Sequence, residues 1–159
     1  MTTAKWIDEA EKHIGLKELT GSNDHPLLLS WWITLGAKYL YKQAWCGTFV
    51  AHCMKIAGYP IPKHWYRAKD WLNWGHSVIE PVYGCVAVFT RDGGGHVGFV
   101  VGKDSLGRVM VLGGNQGNAV SIKPFDKSRV AGYRLPVGYE SAKELPLMVT
   151  QLQSSTNEA

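Results

Sequence analysis

The hydrophobic period of this chain changes once, just after Gly75, and that change restricts the fold more than any other feature. Before it, apolar residues recur at helical spacing: Trp6, Ala10 and Ile14 stand four apart, and Phe49, Cys53 and Ile56 follow i, i+4, i+7. After it come short β-branched runs between glycine-rich or charged turns. The pattern predicts helices over residues 4–14, capped by Thr2 or Thr3 and stopped by Gly15, over 27–35 ending at Gly36, over 45–57 closed by Gly58 and Pro60, and over 66–74 stopped by Gly75. Strands are predicted over 85–90, 96–101, 108–112, 120–122 and 131–135. Helices first and hairpin-linked strands after them describe an α+β domain with an antiparallel sheet.

Composition sets the limits of that domain. A chain of 159 residues, 45% hydrophobic and 19% charged, is globular and has room for one core. Aromatic density falls beyond Pro136, so a single domain is expected over residues 1–136, followed by a tail over 137–159 whose last residues are disordered. The formal charge of +4 favours a polyanionic partner. It comes without a basic cluster interleaved with aromatics, which argues against nucleic acid. No run of about 18 apolar residues occurs, so membrane insertion is not expected. The opening MTTAKWIDEAEKH carries acids where a secretory signal would be apolar, and the expectation is a monomer made in the cytoplasm without a signal peptide.

Three cysteines with no CxxC pair support neither a disulfide framework nor a four-cysteine zinc site. They differ in position. Cys46 falls in the first turn of its predicted helix, where free backbone N–H groups and the helix dipole favour a thiolate. Cys53, within the apolar face, and Cys85, opening a strand, read as core residues. A thiolate nucleophile needs a base near neutral pH, and histidine supplies one. Of six histidines, His96 is distinctive because it follows Gly93-Gly94-Gly95 and opens an apolar strand. His13, His25, His52, His64 and His76 sit at helix ends, in loops or beside the core.

A third residue follows from hairpin arithmetic. A turn centred on residues 104–107 pairs residues whose numbers sum to 211, placing Val100 opposite Val111 and His96 opposite Asn115. Directly opposed residues share a face with Cβ atoms roughly 5 Å apart, so the Asn115 amide can orient the His96 ring. A bulge at Gly113-Gly114 would turn Asn115 away and leave it an ordinary turn residue.

The segments Ala44-Trp-Cys-Gly-Thr-Phe-Val-Ala-His-Cys53, Gly94-Gly-His-Val-Gly-Phe-Val100 and Val111-Leu-Gly-Gly-Asn-Gln116 together resemble the CHAP and NlpC/P60 superfamily of papain-like cysteine peptidases and amidases, in particular a branch common in phages. The resemblance covers the chain from the first helix to about Leu135. It implies a papain-like fold with the nucleophile helix packed on the sheet, and cleavage of amide bonds in bacterial peptidoglycan. By position it makes Cys46 the nucleophile, His96 the base and Asn115 the orienting residue. Many CHAP enzymes carry Glu two residues before the Asn position, where this chain has Gly113; Glu18 is a candidate substitute. Calcium-binding CHAP enzymes have an acidic loop near the cysteine, and none precedes Cys46, so neither metal nor cofactor is expected.

The implied setting is a phage endolysin, made in the host cytoplasm and reaching the periplasmic wall after holin-type release. A secreted antibacterial amidase effector and a non-catalytic wall-binding module of the same fold are the alternatives. The backbone N–H of Cys46 is the expected oxyanion donor, with Tyr41 and Gln43 as candidates for a second. Trp6, Trp31 and Trp71 are expected in the core; Trp45, Trp65 and Tyr66 are the better candidates for a substrate groove, with packing the first reading for them too.

Overall fold

The computed structural model describes residues 4–19, 25–41, 43–91, 94–140 and 143–149. Helices α1 (Lys5–Glu11), α2 (Pro26–Thr34) and α3 (Cys46–Ile56) come first. Strands β1 (His76–Val78), β2 (Val86–Arg91), β3 (Gly94–Lys103), β4 (Val109–Gly113), β5 (Ser121–Phe125) and β6 (Val130–Leu135) follow. They form one antiparallel sheet in the order β1-β6-β2-β3-β4-β5. This is the expected α+β architecture, consistent with a papain-like fold.

Helices α1 and α3 are shorter than their apolar patterns suggested, while α2 keeps its expected length. The expected caps Thr2 and Thr3 lie outside the described residues, and Ala4 is the N-cap of α1. Trp6 and Ala10 are fully buried, but α1 ends at Glu11 and Ile14 stays about half exposed. In α3, Phe49 and Cys53 are buried while Ile56, in the last turn, faces solvent. Truncating a fully buried phenylalanine such as Phe49 typically costs about 3–5 kcal/mol. The predicted helix over 66–74 is a 3-10 segment, Ala68–Asn73. Side chains three apart eclipse in that geometry, which stands Trp71 beside Trp74 with ring centroids 5.0 Å apart.

The central strands are buried along nearly their whole length, because α3 packs on β3 and β4 while the 3-10 segment packs on β2 and β3. β1 has no counterpart among the predicted strands: three residues, His-Ser-Val, carry no run to recognise. β5 runs past its predicted end and includes Pro124. Proline lacks a ladder donor, and β5 tolerates it as the edge strand of the sheet.

The packed unit also runs on past the expected boundary at residue 136. Tyr139 is buried edge-on against Trp6 at 4.8 Å, and its carbonyl accepts from His76 Nε2 at 2.9 Å. Further on, Lys103 N donates to Pro146 O at 3.0 Å and Met148 N to Lys103 O at 2.7 Å, so the chain lies across the end of β3. The expected disorder of the final residues falls outside the described part. Among the described residues, no helix is long and apolar enough to cross a membrane.

Candidate active site

No disulfide links the three cysteines, and their surroundings differ. Cys53 and Cys85 are completely buried. Loss of solvent pushes the Cys53 thiol well above its ordinary value and the Cys85 thiol up to about 12, so both stay protonated and unreactive. Cys46 is the first residue of α3 and keeps a small exposed surface. Its N-cap, Trp45, makes no side-chain capping bond. The first turn therefore directs backbone N–H groups and the positive end of the helix dipole toward the thiol end of the helix.

His96 lies in β3 directly opposite Phe89 and is fully buried. Phe125 stacks on its ring at 5.5 Å and 10°, which fixes the ring plane. Its Nε2 meets Gln116 Oε1 at 2.9 Å. The orientation of that amide is decided by its other end: Gln116 Nε2 donates to Val111 O at 3.0 Å and Ser121 O at 2.9 Å, which uses both of its protons. A flipped amide would set Oε1 against two carbonyl oxygens. Gln116 Oε1 therefore accepts, His96 Nε2 carries the proton, and in the neutral ring Nδ1 holds the basic lone pair.

The side chain bonded to the His96 ring is thus Gln116, one residue beyond Asn115. The predicted register holds at Phe99↔Leu112 and Val100↔Val111, but β4 ends at Gly113 and the ladder never reaches residue 115. Asn115 is buried in the turn with φ of +59°, a left-handed conformation that asparagine tolerates better than most residues. Glu18 lies beside the same turn, its backbone N–H donating to Asn118 O at 2.9 Å.

Gly113 and Gly114 are where the two halves of the site meet. A Cβ on Gly114 would lie 2.7 Å from Phe49 Cβ and 2.8 Å from the Trp45 ring, so the first turns of α3 rest directly on this backbone. A Cβ on Gly113 would collide with Gln116 Oε1 and come within 3.4 Å of His96 Nε2. The room left by the missing side chain at Gly113 is filled by Gln116. The helix that opens on Cys46 and the His96-Gln116 pair thus press on adjacent residues of one glycine pair.

Residues 37–115 match the CHAP domain family. Over that span the chain is a CHAP domain by likeness. The matched span contains Cys46, His96 and the glycine pair, and stops one residue short of Gln116. None of the curated proteins matches the chain at a significant level. A CHAP domain carries hydrolytic activity of the amidase or peptidase kind, with peptidoglycan as substrate.

The surroundings decide between groove and core for the candidate aromatics. All seven tryptophans are buried, Trp45 and Trp65 included, and serve the core. A cavity of about 240 Å³ remains beside the chain leading into α3, lined by Trp32, Leu40, Gln43, Ala44 and Tyr66. Tyr66 is the one expected groove aromatic that lines it, with its hydroxyl 2.9 Å from His64 Nδ1. Gln43 is exposed there, whereas the Tyr41 hydroxyl accepts from His25 N at 3.0 Å and anchors the start of α2.

Proposed function

We propose that this CHAP-like protein cleaves amide bonds of the bacterial wall peptide through Cys46, with His96 as general base and acid and Gln116 as the residue that orients it. The supporting observation is the convergence of the first turns of α3 and the His96-Gln116 pair on Gly113-Gly114. His96 Nδ1 takes the Cys46 proton, and the thiolate attacks the amide carbonyl. The carbonyl oxygen gains negative charge as the C–S bond forms. The backbone N–H of Cys46, at the helix start, receives that charge, and Gln43 at the cavity supplies a second donor. The His96 imidazolium then gives its proton to the departing amine as the C–N bond breaks, leaving an acyl-enzyme. Water, deprotonated by the same Nδ1, releases the acid and regenerates the thiol.

Gln116 holds the ring through these steps without a charge of its own. A neutral acceptor on Nε2 stabilises the imidazolium less than a carboxylate would, which keeps the base able to return its proton. The cavity beside Gln43 and Tyr66 receives the part of the peptide next to the scissile bond. The biological reading is lysis of the host wall by an endolysin, supported by the likeness of the Trp-Cys and Gly-Gly-Asn-Gln segments to phage members of the superfamily. In that setting the enzyme is made in the host cytoplasm and meets the wall after release across the inner membrane.

The test is turbidity loss of outer-membrane-permeabilised cells. The native protein is expected to clear the suspension, and Cys46→Ala and His96→Ala to leave it turbid. Lysis at the native rate by Cys46→Ala would overturn the assignment. Mass spectrometry of the released muropeptides then assigns the cleaved bond, N-acetylmuramoyl-L-alanine or a peptide link.

A further inference from the structure

Away from the glycine pair, three side chains from α1, the turn after it and α3 converge on one point. Glu9 Oε2 lies 2.7 Å from His13 Nε2 and 2.9 Å from His52 Nε2. The donor atoms of all three residues fall within 4.8 Å of one another. Glu9 lies in α1 and His13 in the turn after it, at i, i+4, while His52 comes from α3, 43 residues away in the chain. The third helix holds the rings in place: Trp31 of α2 stacks on His52 at 4.6 Å and 18° and meets His13 edge-on at 4.9 Å. Each of the three side chains is 13% exposed, enough for solvent to reach the point where they meet.

We propose that Glu9, His13 and His52 form a three-ligand site for a divalent transition ion of the zinc type, which clips α1 to the helix carrying Cys46. Two imidazole nitrogens and one carboxylate oxygen suit zinc, cobalt or nickel, whereas calcium and magnesium take mostly oxygen. Water completes the coordination from the exposed side. Without metal, both Nε2–H groups donate to the single oxygen Oε2, while Lys12 Nζ, at 3.4 Å, takes Oε1. An ion replaces those two shared protons, and each ring then carries its hydrogen on Nδ1. Bonds of about 2.0–2.1 Å in a tetrahedral site set donor atoms about 3.3 Å apart. The two short edges therefore need to open by only about half an ångström, a movement within reach of side-chain rotation. Neighbouring Cys53 is not a ligand, because it is fully buried in the core behind the helix. The absence of an acidic loop before Cys46 bears on calcium at that loop and leaves this cluster untouched. The site is also separate from the proposed nucleophile, since six residues of α-helix place His52 about 9 Å along the axis from Cys46.

Cobalt tests the site directly in the untagged, full-length protein. One equivalent is expected to produce visible d–d bands of a low-coordinate site without sulfur-to-cobalt charge transfer in the near ultraviolet. The same bands are expected in Cys46→Ala, and zinc but not calcium should abolish them. Zinc at a hundredfold excess over its Kd is expected to raise Tm by about 5 °C. Glu9→Gln and His13→Gln, checked for folding by circular dichroism, should each lose the bands and the Tm rise. His13 lies outside α1, so its variant keeps the test valid if changes at His52 unfold the chain. Absence of cobalt binding, bands that vanish in Cys46→Ala, or undiminished binding by a folded His13→Gln protein would each overturn the proposal.

Discussion

The two ends of the β3-β4 hairpin solve the same problem with different chemistry. At the turn end, the Asp104 carboxylate accepts from Leu106 N at 3.0 Å, Arg108 N at 2.9 Å and Arg108 Nε at 2.7 Å. At the open end, the Gln116 amide bridges His96, Val111 and Ser121. Each is a single side chain that satisfies several polar groups where the ladder stops. The turn end uses a full charge and a charged partner, which gives strength and pH sensitivity. The open end uses a neutral amide, which fixes the ring without placing a charge beside it. A charge serves where the task is to hold a turn, and its absence suits the base role proposed for His96.

The largest effect should come from making the open end resemble the turn end. Gln116→Glu sets a carboxylate oxygen against the carbonyls of Val111 and Ser121, which the amide now feeds with two protons. Loss of two buried hydrogen bonds and the added repulsion should cost about 3 kcal/mol of stability. In whatever fraction folds, the carboxylate raises the His96 pKa and moves the acid limb of the pH-rate profile upward. Gln116→Ala is the milder control. It should lower kcat about 10–100-fold while leaving KM near native, since the ring loses its orienting partner. Native kcat in Gln116→Ala, with folding shown by circular dichroism, would remove Gln116 from the mechanism.

The hairpin also shows how far a sequence can be read. Its middle was legible: the sum of 211 is right at Val100↔Val111, because alternating apolar residues and a glycine turn leave one register that buries both strands. Its ends were not. A bulge falls between Val100 and Gly102, shifting the pairs to Gly102↔Met110 and Lys103↔Val109. At the other end the ladder stops at Gly113, and the chain turns through Asn115 so that Gln116 faces the ring. Both departures depend on backbone torsions at glycine-rich positions, which the order of residues leaves free. Cys46 and His96 could be singled out because a thiol at a helix start and a polar ring on an apolar strand are local anomalies. Gln116 gives no such signal, since its role comes from three partners on β3, β4 and β5. The tryptophans were open for a related reason: Trp45 and Trp65 adjoin the site in sequence but turn into the core, and burial depends on tertiary packing.

An effect of middle size is expected at the charged end. Burial alone would raise the Asp104 carboxyl, but bonds from Arg108 and Leu106, with the Arg108 charge, hold it below its usual range. A carboxyl depressed on folding contributes stability above its unfolded value and loses it as pH falls through the folded one. Urea midpoints should therefore fall on acidification below about pH 4, the unfolded range of an aspartate. Asp104→Asn should be less stable at pH 7, by about 1–3 kcal/mol, and show a shallower acid slope. Identical slopes in the two proteins would assign the acid sensitivity to other groups. Lytic activity per folded molecule should stay native, which separates this end from the other.

The smallest effect distinguishes the two neighbours in the open turn. Asn115 and Gln116 are both buried amides, 2% and 1% exposed, and a reading by residue type cannot choose between them. The backbone can. At φ of +59°, Asn115 occupies a conformation that glycine adopts without strain, so Asn115→Gly keeps the turn that aims Gln116 at His96. Its kcat should stay within about 2-fold of native, set against the 10–100-fold loss in Gln116→Ala. Asn115→Val, which places a β-branched residue in the left-handed region, should instead lower stability by about 1–3 kcal/mol and reduce activity only as far as the turn distorts. If Asn115→Gly loses as much kcat as Gln116→Ala while its melting temperature stays native, the ring is held by the asparagine. The short bond at His96 Nε2 would then be a packing contact and not the orienting one.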